Sequence, residues 1–146
     1  MRTCNYWFDI FSVKTWQDFL EAGGETSGFA PNKVDVVKKV RPGDMFLCYL
    51  SGLSRWVGVL EVLSDAYFDD SPIWKETYPY RFRVRIVYQL TPDTGVDIRS
   101  LQELSIFDSA DPSKWGVHVR STLRPWSEDD AVMVINAVKE AAANQG

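Results

Sequence analysis

The sequence predicts a mixed α/β fold: one domain, residues 1–146, whose sheet of about five or six strands is strongly curved or barrel-like, with helices packed on its outside. Three observations predict it. Residues 45–50 (MFLCYL) and 56–63 (WVGVLEVL) are almost continuously apolar and are joined by a short polar loop, 51–55, as expected for two adjacent strands covered on both faces. Residues 80–90 (YRFRVRIVYQL) alternate in the manner of a long strand with one wetter face. Ser127, followed by three acids and then by Val132, Ile135 and Val138 with Lys139 late, is the pattern of a capped amphipathic helix. A chain of 146 residues is long enough to bury one substantial core.

The elements follow in order. Tyr6 to Val13 is an aromatic, β-favouring run and predicts the first strand. Thr15 is placed as the N-cap of a short helix in which Trp16, Phe19 and Leu20 fall on one face before Gly23-Gly24 stops it. Residues 25–29 are small and polar apart from one aromatic, so Gly28-Phe29-Ala30 is expected in a loop across an open end of the core. Pro31 suits a helix start, and Val34, Val36, Val37 and Val40 mark an amphipathic segment with its lysines outward. Pro42-Gly43-Asp44 then predicts a tight turn leading into the central pair of strands. Residues 64–79 carry Tyr67, Phe68, Trp74 and Tyr78 among acids and prolines, and such a segment is expected to fold over the sheet or rim a site. Residues 91–95 are turn chemistry, Asp97 is placed to cap a short helix through Leu104, and residues 109–121 read as irregular around Trp115-Gly116.

Charge and composition narrow the function. A net charge of −4 and an isoelectric point near 5.0 argue against a protein that grips nucleic acid mainly through phosphates, while leaving room for a reader of a single base. The cations do group locally, as Lys38, Lys39 and Arg41 and as Arg81, Arg83 and Arg85. Alternation puts the second three on one strand face, either solvated or turned to phosphate. Catalytic chemistry is thin. The single histidine, His118, has no partner at metal-ligand or triad spacing; Asp69-Asp70 reads as a solvated pair; no phosphate loop or nucleophile elbow occurs. Cys4 and Cys48 lack CxxC spacing and read as buried free thiols. No cofactor or metal is expected. With no long apolar stretch and no signal-peptide pattern, the expectation is a cytoplasmic protein without a membrane partner.

Aromatic residues outside the strands supply the positive indication. There are six tryptophans, and Phe29, Trp74 and Trp115 all lie in segments read as irregular. A planar base can be held between aromatic faces, each stack worth about 1–3 kcal/mol. The alternative, that these rings plug the rim of the core, stands open for each of them.

One family pattern runs through the chain. Tyr6-Trp7-Phe8, Gly28-Phe29, the basic-Pro-Gly-Asp turn at 41–44, Tyr49-Leu50-Ser51, Trp56-Val57-Gly58 with Glu61-Val62, Ser71-Pro72-Ile73-Trp74 and Trp115-Gly116 occur in an order that resembles the EVE domain, from about Asn5 to Arg120. EVE domains belong to the PUA-like superfamily with the YTH and ASCH domains. The resemblance implies a PUA-like barrel and non-enzymatic recognition of a modified base, such as 5-methylcytosine or N6-methyladenine, in DNA or in RNA. Phe29 and Trp74 match the two walls of the aromatic cage of YTH domains, with Phe in place of their usual Trp at the first. Ser51, Gly52 and Leu53 are candidates for the pocket floor, Ser12 and Asn32 for hydrogen bonds to the base edge, and Trp115 for a further ligand contact. Arg120, Lys33 and Arg81 are candidates for the nucleic-acid backbone. The family also implies a separate nuclease or effector protein as partner. Two other classes remain: an ASCH-like enzyme acting on RNA or a nucleoside through Lys33, Asp69 or His118, and a small-molecule or nucleotide sensor using the same pocket.

Overall fold

The turn before the central hairpin shows how the sheet is pinned. Gly43 adopts φ 93°, a conformation open to glycine, and Asp44 N–H donates to Arg41 O at 3.0 Å. The buried Asp44 carboxylate then accepts from three donors: Asn5 N–H (3.1 Å), Arg41 N–H (3.0 Å) and the Trp7 indole (3.0 Å). One side chain thus ties the turn to the start of the first strand.

The computed structural model describes residues 4–108 and 112–145. Along them run β1 (Tyr6–Phe11), α1 (Val13–Glu21), β2 (Thr26–Phe29), a 3-10 turn (Pro31–Lys33) entering α2 (Val34–Val37), β3 (Met45–Leu50), β4 (Arg55–Val62), β5 (Tyr67–Phe68), β6 (Tyr80–Gln89), β7 (Val96–Asp97), 3-10 segments at Ile98–Ser100, Ser105–Phe107 and Pro112–Val119, β8 (Arg124–Trp126) and α3 (Glu128–Asn144). The sheet order is β2-β6-β4-β3-β1-β8, with β5 added to β6 and β7 to β4. The β1/β3 pair is parallel, Tyr6 opposite Met45 through Phe11 opposite Leu50, and the other pairs are antiparallel. Register shifts at Cys48/Tyr49 and at Val59/Leu60 bend the strands, and the sheet curls into a half-barrel.

The continuous apolar runs of the hairpin have their cause in two cores, one on each face. Phe46, Cys48, Leu50, Val57 and Leu60 pack with Trp16 and Phe19 of α1 and Val37 of α2. Leu47, Tyr49, Trp56 and Val59, on the other face, pack with Val134 and Val138 of α3. Ser127 caps α3 by accepting from Asp130 N–H at 3.2 Å.

Five local expectations are corrected. The N-cap of α1 is Ser12, not Thr15: Ser12 Oγ accepts from Thr15 N–H at 3.0 Å and Thr15 Oγ1 accepts from Ser12 N–H at 2.9 Å, a reciprocal box that starts the helix earlier. Residues 26–29 form a strand rather than a loop, because β6 offers a free edge on which Phe29 pairs with Tyr80 and Gly28 with Arg81. The helix expected from Asp97 to Leu104 stops at Ser100, where Leu101 leaves helical geometry at φ −106°, ψ 61°. Within the segment read as irregular, Pro112–Val119 is 3-10 helix; residues 109–111 lie outside the described residues. Cys48 is fully buried, whereas Cys4 is only partly so, its Sγ donating to Gly43 O at 3.1 Å.

Candidate functional site

The site is built where the edge strand β2, the middle of β1 and the β5–β6 connection converge. Trp74 is its fixed wall. The ring lies against Gly28, whose missing side chain makes the approach possible: a Cβ there would sit 2.7 Å from Trp74 Cζ3 and 2.8 Å from Tyr78 O. The Trp74 indole donates to Thr15 O at 3.2 Å, and Tyr78 packs edge-on to it at 5.5 Å. Beneath it, the Arg81 guanidinium lies 5.6 Å from the ring centroid.

Arg81 also explains why so polar a connection holds one shape. Its Nε donates to Tyr78 O (3.0 Å), Nη1 to Ser71 Oγ (3.0 Å) and Nη2 to Ser71 O, and Nη1 pairs with Asp69 at 3.5 Å. The side chain is 2% exposed. Its neighbours in the strand behave differently: Arg83 is exposed, and Arg85 is paired with Glu61 at 2.7 Å. The expected row of three guanidiniums on one surface is therefore broken at Arg81, whose donors are consumed by the loop above it and are not turned to a phosphate.

Between Trp74 and β1 opens a cavity of about 250 Å³, a little below the ~300–1,000 Å³ of pockets for drug-sized ligands. Phe29 and Gly28 line one side, Trp74 and Tyr78 another, and Arg120 stands at the rim. Polar groups come from Thr15, Thr122 and Asp9. Asp9 is 3% exposed, on the same face of β1 as Trp7 and Phe11. Thr122 Oγ1 donates to Asp9 Oδ1 at 3.2 Å while accepting from Ile10 N–H at 3.1 Å, and Ser27 Oγ lies 3.4 Å from Oδ2. Burial raises the Asp9 carboxyl from 3.8 to about 7, against the lowering effect of the two hydroxyls. Among the described residues no Lys or Arg forms an ion pair with it.

Of the residues expected at the site, Phe29, Trp74 and Arg120 line this cavity together. Phe29 does so from inside the core: it is 2% exposed and packs edge-on to Phe46 and Phe82 at 5.6 and 5.9 Å. Trp74, 7% exposed, likewise serves packing as well as the pocket. The other candidates lie outside the cavity lining. Ser12 is committed to its helix cap, and Asn32 is exposed in the 3-10 turn that also carries the partly buried Lys33. Ser51, Gly52 and Leu53 form the exposed β3–β4 turn, with Ser51 N–H bound to Phe11 O at 2.9 Å. Trp115 packs on Phe107 at 5.7 Å and joins the core on the opposite face of the sheet. His118 is exposed. Sequence reasoning missed Asp9, Thr122, Tyr78 and Thr15. For Asp9 a signal existed, an acid inside the run YWFDIF at a position whose alternation turns it inward; Thr122 has no local signal.

Among the described residues no cluster of three His, Cys, Asp or Glu side chains could hold a metal ion, and no helix is long and apolar enough to cross a membrane.

A curled mixed sheet with helices on both faces and a cavity opening between β1, β2 and the β5–β6 connection is a YTH-like fold. Solved structures of this shape include the YTH domain-containing protein mmi1 in complex with RNA (TM-score 0.71, 11% identity, covering 97% of this chain and 85% of that one). Another is the YTH domain of the Zygosaccharomyces rouxii MRB1 protein in complex with N6-methyladenosine RNA (TM-score 0.67, 15% identity, covering 93% and 87%). At these identities the likeness is one of fold. The chain belongs to the EVE domain family, whose sequence pattern matches residues 5–137. A UPF0310 protein of Pyrococcus abyssi (strain GE5 / Orsay) is 31% identical over 94 residues, a match covering 56% of this chain; the chain spans 65% of the length of that relative.

Proposed function

We propose that the protein recognises a modified base in nucleic acid, without turnover, by taking the base flipped from its strand into the cavity beside Trp74. The observation that carries this reading is the make-up of the cavity: aromatic walls from Phe29 and Trp74, buried polar groups from Asp9 and Thr122, and a cation, Arg120, at the mouth. Aromatic walls suit the face of a base, buried polar groups suit its edge, and a cation at the mouth suits a flanking phosphate. Membership of the EVE family supports it, as do YTH neighbours whose structures hold RNA, one of them with N6-methyladenosine. DNA carrying 5-methylcytosine or N6-methyladenine is the ligand favoured here, with RNA as the alternative strand. The net charge of −4 fits a reader that takes most of its affinity from one base rather than from many phosphates.

The test is fluorescence anisotropy with short labelled DNA and RNA strands that differ at one central base, modified or not. Preference for one modified strand by about tenfold or more, roughly 1.4 kcal/mol, supports the reading. Equal binding of all strands, or binding of free nucleosides only, contradicts it and moves the function to a nucleotide sensor.

One observation favours a second reading, an enzyme acting on RNA or a nucleoside. A buried carboxyl raised to about 7 in a cavity has the acidity expected of a general acid or base. Mass analysis of strands and nucleosides after prolonged incubation separates the two readings, since only the enzyme changes their mass.

A further inference from the structure

Asp9 costs the fold something and the sheet does not explain it. Its neighbours along the same face of β1 are Trp7 and Phe11, and across the parallel ladder it stands opposite Cys48. An apolar residue would fit this layer, yet a carboxyl is held there by hydroxyls from two other segments and lines the cavity. Thr122 has a single hydroxyl proton, and because Thr122 Oγ1 already accepts from Ile10 N–H, that proton is directed to Asp9 Oδ1. Oδ1 is therefore fixed as an acceptor with a further lone pair. Oδ2, whose hydroxyl neighbour Ser27 is 3.4 Å away, is the oxygen better able to carry the acid proton.

We propose that Asp9 reads the edge of the captured base, selecting bases that present an amino N–H beside an unprotonated ring nitrogen over bases that present a ring N–H beside a carbonyl. The inference rests on the base-reader function proposed above. In its acid form the carboxyl donates from Oδ2 to the ring nitrogen and accepts the amino N–H at Oδ1, two parallel hydrogen bonds. Cytosine offers this pair at N3 and N4, and adenine at N1 and N6; thymine and uracil at N3 and O4, and hypoxanthine at N1 and O6, reverse it and lose both bonds. Discrimination of this kind is large because the mismatched edge leaves buried polar groups unpaired on both sides.

The same geometry makes recognition depend on pH. Ionised, Asp9 keeps the acceptor for the amino group but turns a second lone pair toward that of the ring nitrogen. Of the other groups around it, Cys48 on β3 is pushed well above 9.0 by burial and Tyr78 of the β5–β6 connection is raised above 10.0 by burial, so neither titrates with it, and Arg120 of the segment before β8 also lines the cavity. From β2 and α1 only the hydroxyls of Ser27 and Thr15 are contributed.

The experiment uses single strands, so that no base pair has to open, with one central base from two matched pairs: 5-methylcytosine against thymine, and N6-methyladenine against hypoxanthine. The first pair has the same ring and methyl group and differs only at the edge. The wild type is expected to prefer the amino member of at least one pair by about tenfold or more, and which pair responds tells cytosine from adenine. Its affinity is expected to fall by about tenfold between pH 6 and pH 8, as the acid form is lost through a pKa near 7. Asp9→Asn carries a permanent donor and acceptor in the same shape, so it should keep the preference and lose the pH dependence. Asp9→Leu should lose the preference while still melting cooperatively. Selective binding that is independent of pH, or equal binding within both pairs, overturns the role of Asp9 and leaves the base-reader function standing. Failure to bind any strand overturns both.

Discussion

Gly28→Ala isolates the wall of the cavity with one methyl group. Gly28 pairs with Arg81 in a regular antiparallel ladder, so backbone strain is not the issue; space is. The new Cβ would lie 2.7 Å from Trp74 Cζ3, 3.0 Å from Cη2 and 2.8 Å from Tyr78 O, where carbon contacts settle at ~3.5–4.0 Å. The ring must retreat by about 1 Å. It cannot do so freely, because the Trp74 indole is bonded to Thr15 O and the third contact is backbone. Overpacking of this kind costs about 1–3 kcal/mol, which for a domain of this size lowers Tm by roughly 2–12 °C. A displaced wall also forfeits stacking worth ~1–3 kcal/mol, so affinity for the preferred strand should drop roughly 5- to 150-fold. Differential scanning calorimetry and anisotropy measure the two effects. Gly116→Ala is the matched control, since a Cβ there meets nothing within 4 Å. A Gly28→Ala protein with wild-type Tm and affinity would refute the close packing of Trp74 on β2 and the cavity wall with it.

Three further outcomes follow from the same geometry. Asp44→Ala strands the buried Trp7 indole and releases the part-buried Asn5 and Arg41 amides; at ~1–3 kcal/mol for the buried donor and less for the two amides, which water can reach, urea unfolding should show a loss of about 2 kcal/mol or more. Arg120→Ala should weaken modified and unmodified strands alike and reduce the slope of log K against log salt by about one, read from titrations at several salt concentrations. Asp9 binds its proton more tightly folded (about 7) than unfolded (3.8), so its contribution to stability is full below pH 3.8 and lost as pH rises to about 7. At ~1.4 kcal/mol per pH unit over that interval the loss is on the order of 4 kcal/mol. Asp9→Asn should therefore be more stable than wild type at pH 8, by a margin that shrinks toward pH 4 in parallel urea titrations.

What the sequence disclosed and what it withheld divide along physical lines. The central hairpin and α3 were legible because their cause is local: continuous apolar runs need two covers, and Ser127 with three following acids can hardly start anything but a helix. β2 was not, since Thr-Ser-Gly-Phe has no strand character of its own and is ordered by the edge of β6. Phe29 and Trp74, singled out by their resemblance to the walls of the YTH cage, both line the cavity, but their burial was not legible; a ring can line a cavity with one part and fill the core with the rest. Arg81 was read as a surface cation because alternation tells which side of a strand a residue faces, not what folds over that side. Ser51, Gly52 and Leu53 were misplaced for a similar reason, the turn of the hairpin being adjacent to the site in sequence pattern but outside it in space. Asp9 and Thr122, separated by 113 positions, meet only once β1 and the strand before α3 are paired.

The most direct test of the central claim is a two-dimensional amide and indole NMR titration of the protein with the preferred modified strand. Base capture in the cavity predicts that the Trp74 indole and the Gly28, Thr15 and Thr122 amides shift first and most, with smaller changes at Arg120. Shifts confined to the exposed arginines of β6 or to the face covered by α3, with the Trp74 indole unmoved, would contradict it.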